Sequence, residues 1–378
     1  NCLPSSSRNP RESLSKAIQA LKAGEVICIF PEGQLTRTGT LCAARRGLEM
    51  LAKKSSCPII PIYMDELWGS IFSYSGNRFF SKAPLHVPYR FTAAVGEPIA
   101  PDAVNPPMVI NTLRELSSTC LEIAASIGRD AILNHLEHIG HKPLVTANNT
   151  RLTGYEKTEC LMNATVEAEN PELRKWLATL LDCSRSQSRL CDFWMNAQQL
   201  ERVNALQPRE LLLTSVGHEE VHETVAAVLW PILTGTPVYL IGDGDHSMPE
   251  GIRQIAGSDF LRRRLYSLVP ETRTPLYDFS GSGDLVLPNI GWRPCFATDR
   301  GIILAMSMKR SVFKLDDGTV QLGMRARTRG RLLPGFYLNP PSSTVIAGAT
   351  LSTPYYLPPN QYLDETGFLA EHQSSIHE

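Results

Sequence analysis

Apolar positions along this chain recur at helical spacing, then at strand spacing, and the texture changes near residue 140. Leu14, Ala17, Ile18 and Leu21 fall three and four residues apart, which places them on one face of a helix. That helix is predicted to start at Asn9-Pro10, a capping side chain followed by a proline, and to stop at Gly24. Val26-Ile27-Cys28-Ile29-Phe30 follows as an unbroken apolar run, the pattern of a strand covered on both faces. A second helix is expected over residues 41–54, with Leu48, Leu51 and Ala52 turned inward. Pro58-Ile59-Ile60-Pro61-Ile62-Tyr63 reads as another buried strand, residues 89–95 alternate as a further one, and 108–138 are helical in pattern. Helix, strand, helix, strand predicts an α/β unit with a mainly parallel sheet.

Residues 140–143 mark a boundary, dividing the chain into units of 1–140 and 144–378. Past it, a polar helix-rich stretch reaches Leu206, Leu211-Leu212-Leu213 is strand-like, a helix ends at Pro231, and Val238-Tyr239-Leu240-Ile241 is a short buried strand. From Thr272 onward glycine, proline and short strand candidates dominate. The second unit is therefore also expected to be α/β.

Composition narrows the class. With 43% hydrophobic and 20% charged residues the chain is globular material. Residues 1–100 hold 12 Lys/Arg against 7 Asp/Glu, a balance of +5; the formal total is −1, so the remainder carries −6. A basic first third suits an anionic substrate or an anionic membrane surface, and equally ordinary surface variation. The nine cysteines form no C-x-x-C pair, which points away from a disulfide framework or a zinc knuckle, and Cys28 and Cys57 read as small core residues. No segment approaches the roughly 20 apolar residues that span a bilayer. The chain opens on Asn1 rather than a methionine and is read as a fragment.

The candidate chemistry sits where the first apolar run ends. Pro31 and Gly33 terminate it and present Glu32 at a carboxyl edge, where open α/β sheets bind ligands. Gln34-Leu35-Thr36-Arg37-Thr38-Gly39 adds hydroxyls, a glycine and a guanidinium fork suited to phosphate.

Phe30-Pro31-Glu32-Gly33 and Pro58-Ile59-Ile60-Pro61, with Arg45-Arg46-Gly47 between them, resemble the third and fourth blocks of the glycerophospholipid (lysophosphatidic acid-type) acyltransferase family. Asp65-Glu66-Leu67-Trp68-Gly69-Ser70-Ile71-Phe72-Ser73 resembles the bifunctional acylglycerophosphoethanolamine acyltransferase/acyl-carrier-protein synthetases. The resemblance covers about residues 1–100 and makes residues 1–140 the carboxyl-terminal part of such a domain. It implies that Phe30, Pro31, Glu32 and Gly33 shape an acyl-acceptor pocket and that Arg37 pairs with the acceptor phosphate. It further implies that Arg45 or Arg46 supports that charge and that Pro61 walls the cleft. A plain turn at 31–33 and a solvated basic helix face at Arg45, Arg46, Lys53 and Lys54 are the bland alternatives. Trp68, Phe72, Tyr74, Phe79 and Phe80 are either core or a lipid-facing group.

The family's chemistry uses a histidine followed five residues later by an aspartate, as general base and its orienting partner. None of the nine histidines here has Asp at that offset. The box is expected upstream of Asn1, and this chain alone is expected to lack acyltransferase activity.

The second unit resembles a degenerate adenylate-forming (acyl-CoA synthetase-like) domain. The resemblance rests on Asn149-Thr150-Arg151-Leu152-Thr153-Gly154-Tyr155, on Leu211-Leu212-Leu213 and on the stretch Leu229-Trp230-Pro231-Ile232-Leu233-Thr234-Gly235. Gly330-Arg331-Leu332-Leu333-Pro334-Gly335 and Tyr362-Leu363-Asp364-Glu365-Thr366-Gly367 complete it. The phosphate loop is missing, since residues 184–206 hold no glycine, and Tyr277-Asp278-Phe279-Ser280-Gly281 stands in place of the aromatic-Gly-x-Thr-Glu motif.

Three other patterns compete. His218-Glu219-Glu220-Val221-His222 fits the H-E-x-x-H zinc pattern, with Glu219 as base, or else is a chance match of half-buried histidines. Gly242-Asp243-Gly244-Asp245 lacks the spacing of a calcium loop. The basic clusters at 262–264 and 325–331 carry no nucleic-acid motif.

The resulting expectation is acyl transfer from acyl-ACP or acyl-CoA to a lysophospholipid or glycerol-phosphate-type acceptor at a membrane surface, without cofactor, metal or nucleic acid. A non-catalytic lipid-binding scaffold and a zinc hydrolase on His218, Glu219 and His222 are the alternatives. The resemblance implies a cytoplasmic location, peripheral on the inner face of the cell membrane, with tethering by an upstream membrane domain left open.

Overall fold

The computed structural model describes residues 10–75, 79–81, 91–124, 129–140, 143–147, 150–153, 157, 169–203, 211–214, 224–242, 252–257, 275–278, 291–307, 312–314, 320–322, 325, 328–341 and 343–371. The first unit holds helices α1 (Pro10–Lys22), α2 (Arg46–Ser55) and α3 (Pro106–Ala124) and strands β1 (Ile62–Asp65) and β2 (Thr92–Val95). Gly24, at φ +86°, ends the turn after α1 as its position predicts. Leu48 and Ala52 of α2 meet Ala94, Ile99, Val109, Ile110, Leu113, Leu116 and Cys120 in a small core. α2 begins later than its apolar spacing suggests, because the Cys42 amide is committed to the Glu32 carboxylate and Arg45 is extended at the N-cap.

Three expectations for this unit fail. Residues 26–30 are not a buried strand: Val26 is 97% and Phe30 70% exposed, and Cys28 is also exposed. Strand burial requires a hydrogen-bonded neighbour, and no described strand lies beside this run. The mainly parallel sheet is likewise absent from the described part of this unit, where β1 and β2 pair antiparallel, with Ile62 opposite Val95 and Met64 opposite Ala93. The 58–63 run is only half covered, since Ile60 and Ile62 lie exposed.

The second unit supplies the parallel sheet. Its strands are β3 (Pro143–Ala147), β4 (Thr150–Thr153), β5 (Leu211–Thr214), β6 (Val238–Leu240), β7 (Ile252–Gly257), β8 (Pro275–Asp278), β9 (Gly291–Ala297), β10 (Ile303–Met306), β11 (Val312–Lys314) and β12 (Val320–Leu322). They continue as β13 (Thr328–Leu332), β14 (Phe336–Leu338), β15 (Val345–Gly348), β16 (Tyr355–Tyr356), β17 (Gln361–Leu363) and β18 (Phe368–Glu371). An eleven-stranded sheet runs β17-β18-β13-β10-β9-β8-β7-β5-β6-β3-β4. Its six central strands, β3-β6-β5-β7-β8-β9, are parallel, and both flanks are antiparallel. Helices Pro171–Arg185 and Gln187–Val203 bury Trp176, Leu180, Phe193, Trp194 and Leu200 against this sheet. α4 (Arg129–Ile139) contributes Ala131, Ile132 and Leu136 to the same core. The helix expected to end at Pro231 runs on through Thr234. Pro231 lies inside this continuous helical run and donates no N–H; the Ala227 carbonyl four residues back accepts Trp176 Nε1 at 3.1 Å instead, and Gly235 at φ +65° stops the helix.

α3 joins the units. Its apolar face closes the small core, and its polar face serves the backbone of the second unit. Asn111 donates to the Leu338 carbonyl (2.9 Å) and accepts from the Leu338 N–H (2.8 Å), while Ser117 and Ser118 accept from the N–H groups of Gly335 and Ala349 (2.8 Å each). At the other side of the junction, Asp65 at the end of β1 receives Arg202 Nε at 2.6 Å, with both side chains over nine-tenths buried. Removing one partner of such a pair strands the other charge. Asp65→Ala is expected to lower the unfolding free energy by about 3 kcal/mol, with Asp65→Ala/Arg202→Met recovering most of the loss in urea titrations. A single-variant loss within about 0.5 kcal/mol of zero would show that the pair does not hold the units together.

Candidate functional site

The loop that carries Glu32 is folded by its own backbone and by Arg45. The Gly33 N–H closes a turn onto the Phe30 carbonyl at 3.0 Å, and the Arg45 N–H reaches the Pro31 carbonyl at 2.8 Å. Arg45 Nε donates to the Glu32 carbonyl at 3.2 Å, and its methylenes lie against Gly33. Thr36 organises the next turn: its hydroxyl oxygen receives the N–H groups of Thr38 (3.2 Å) and Gly39 (3.1 Å) and lies 2.9 Å from the Thr40 carbonyl. These local bonds occupy amides that would otherwise cradle a phosphate. Gly39 is required here, because φ is +78° and a β-carbon would stand 2.9 Å from the Trp68 ring.

The Glu32 side chain points inward. Its Oε2 accepts the Cys42 N–H at 2.6 Å, and Arg331 from β13 and Arg114 from α3 stand close enough to favour its charge. Burial outweighs these contacts and holds the carboxyl above the usual glutamate range. Burial, too, pushes the Cys42 thiol up to about 11 and draws Arg114 down to about 10, the neighbouring Arg331 adding to the latter. The second unit also grips the outer loop: Gln321 accepts the Arg37 N–H (2.7 Å) and donates to the Leu35 carbonyl (3.1 Å), and Arg331 Nη2 donates to the Leu41 carbonyl (2.9 Å).

Arg37 lies over the Tyr74 ring, 3.1 Å from its centroid. Tyr74 stacks on Phe79, Phe79 packs edge-on to Phe80, and Phe80 packs edge-on to Phe72. Phe72 and Phe80 are about 60% exposed, so the aromatic group is a surface cluster rather than core.

The structure therefore brings Glu32, Gly33 and Arg45 together and places Arg37 on the aromatic cluster. Phe30 is exposed, and Arg46 is exposed in the first turn of α2. Pro61 is buried at the entry to β1, where its carbonyl accepts the Gly96 N–H at 2.9 Å. Arg114 and Arg331 escaped the sequence reading, since nothing local marks residues that meet Glu32 only across about 80 and 300 positions of chain, and the Cys42 amide, ten residues on, escaped it because backbone donors carry no sequence signal. His218, Glu219 and His222 lie outside the described residues, among which no cluster of metal-ligand side chains occurs.

The Glu32 geometry separates two substitutions. Glu32→Ala leaves the Cys42 N–H without its acceptor and is expected to cost about 1–3 kcal/mol. Glu32→Gln keeps an acceptor and removes the buried charge. Because the folded carboxyl binds its proton more tightly than the unfolded one, its contribution is greatest below the ordinary glutamate range and declines as pH rises through the raised value. Thermal unfolding from pH 4 to 7 should accordingly show the wild type losing ground to Glu32→Gln as pH rises, and parallel curves would contradict the burial of this charge.

Residues 3–65 match the acyltransferase family model, a span that contains every residue of the candidate acceptor set. Among solved structures, VinN is similar at 14% identity over 48% of this chain and 53% of its own, with a TM-score of 0.35. The match thus spans about half of VinN. The N-terminal subdomain of Klebsiella oxytoca NpsA in complex with 3-hydroxyanthranilyl-AMSN is similar at 10% identity, over 65% and 95% of the two chains, with a TM-score of 0.39. An E. coli MenE variant with bound OSB-AMS is similar at 11% identity, over 66% and 79%, with a TM-score of 0.40. The similarity to the acyltransferase family is thus confined to the amino-terminal segment, residues 3–65.

Proposed function

We propose that this chain is the acceptor-side part of a phospholipid acyltransferase, which moves an acyl chain from acyl-ACP or acyl-CoA to a lysophospholipid or glycerol-phosphate-type acceptor. The family match supports an acyl-transfer or acyl-activation role. The observation that carries the finer reading is Arg37 stacked on Tyr74 at the edge of an exposed aromatic cluster. A guanidinium held flat against a ring offers its edge N–H groups to phosphate oxygens. Phe72 and Phe80 beside it suit the first methylenes of an acyl chain or the interfacial layer of a membrane. Glu32 and Arg45 act on this reading as positioning residues, setting the turn from which Arg37 projects. The general base is no residue of the described loop, and no histidine of this chain has the aspartate spacing the chemistry uses.

A non-catalytic lipid-binding role is the second reading, favoured by the inward turn of Glu32 and the grip of Gln321 on the loop. Both readings require phosphate recognition at Arg37. Arg37→Ala is expected to weaken lysophosphatidic acid binding about ten-fold or more in titration calorimetry while leaving monoacylglycerol binding unchanged. Equal loss for both ligands, or none for either, would remove Arg37 as the phosphate partner. Turnover by the purified chain with acyl-CoA and lysophospholipid would reject the non-catalytic reading.

A further inference from the structure

Beneath the Glu32 loop lies a small, partly open space whose polar wall is rich in hydrogen-bond donors. It has room for one water-sized sphere, about 20 Å³, and is bounded by Arg114, Arg331, Tyr63, Ser117, Thr40 and the Gly367 backbone. Arg114 is over nine-tenths buried, and its Nη2 has no hydrogen-bond acceptor among the described residues. Arg331 spends Nη1 and Nη2 on the carbonyls of Leu322, Leu41 and Thr366, and its buried Nε has no acceptor. The two guanidinium ends converge: a β-carbon built on Gly367 would stand 2.9 Å from Arg114 Nη2 and 3.7 Å from Arg331 Nη2.

Charge makes the space unusual. Two buried cations share one partly buried carboxylate, Glu32, itself raised by burial. Asp364, the other nearby acid, is engaged at 2.5 Å with Arg325. The surplus is one positive charge in a low-dielectric interior, where an uncompensated guanidinium is costly. Like-charged guanidiniums pointing at one place need an intervening negative charge or a water.

We propose that this cavity binds one monatomic anion of chloride size, held between Arg114 and Arg331. Phosphate and carboxylate ligands are excluded by volume, so the site is distinct from any acceptor phosphate at Arg37. The anion would neutralise the surplus charge and lock the seam where α3, β13 and the Glu32 loop meet.

The test uses the whole chain, with sodium chloride, bromide or gluconate at one ionic strength. Chloride and bromide should raise the melting temperature in a saturable way, on the order of 2 °C over gluconate. Arg114→Met should abolish that difference. Crystals soaked in bromide should show an anomalous peak between Arg114 and Arg331, which decides the matter even if Arg114→Met fails to fold. Equal melting temperatures in all three salts, a halide response that survives Arg114→Met, or a bromide-free site holding an ordered water only would overturn the proposal.

Discussion

The burial of the Glu32 carboxylate governs the architecture of the first unit. A carboxylate can be taken from water only if donors and opposite charge replace the lost hydration. Here a backbone amide ten residues on supplies the donor, and arginines from α3 and β13 supply the charge. Satisfying that one group pulls residues 31–42 inward, delays the start of α2 and draws β13 of the second unit over the loop. The same step leaves the Arg37 side chain half-buried, resting on Tyr74.

The two units consequently share their polar chemistry. Asn111, Ser117 and Ser118 of α3 complete backbone hydrogen bonds of the β14–β15 region, and Arg202 neutralises Asp65 across the junction. Polar groups buried at a junction exact a desolvation cost unless every partner is present, so these bonds specify one relative placement of the units more than they add net stability. The second unit serves the first by clamping the Glu32 loop through Gln321 and Arg331, and this is a physical reason for the two to be joined in one chain.

Local pattern made much of the fold legible. The apolar face and Gly24 stop of α1, the strand at Leu211-Leu212-Leu213 and the strand beginning at Val238 depend on spacing and short apolar runs, which the structure honours. Val26-Ile27-Cys28-Ile29-Phe30 has an equally apolar pattern and is exposed, because strand burial depends on a neighbour that spacing cannot reveal. The candidate site divides the same way. Glu32, Arg37 and Arg45 stand in one continuous stretch and could be named in advance, whereas Arg114 and Arg331 reach it only through the packing of α3 and β13. At the level of spacing the aromatic group could have been core, and the solvent exposure of Phe72 and Phe80 puts it at the surface.

The central claim is that the Glu32 loop is anchored inside by its carboxylate. Hydrogen exchange at the Cys42 backbone amide addresses it most directly, since that N–H is the donor to Glu32 at 2.6 Å. The account predicts protection approaching that of core amides such as those of Leu51 and Leu113, and loss of that protection in Glu32→Ala. Exchange of the Cys42 amide at the rate of an open surface loop in the wild-type chain would contradict it.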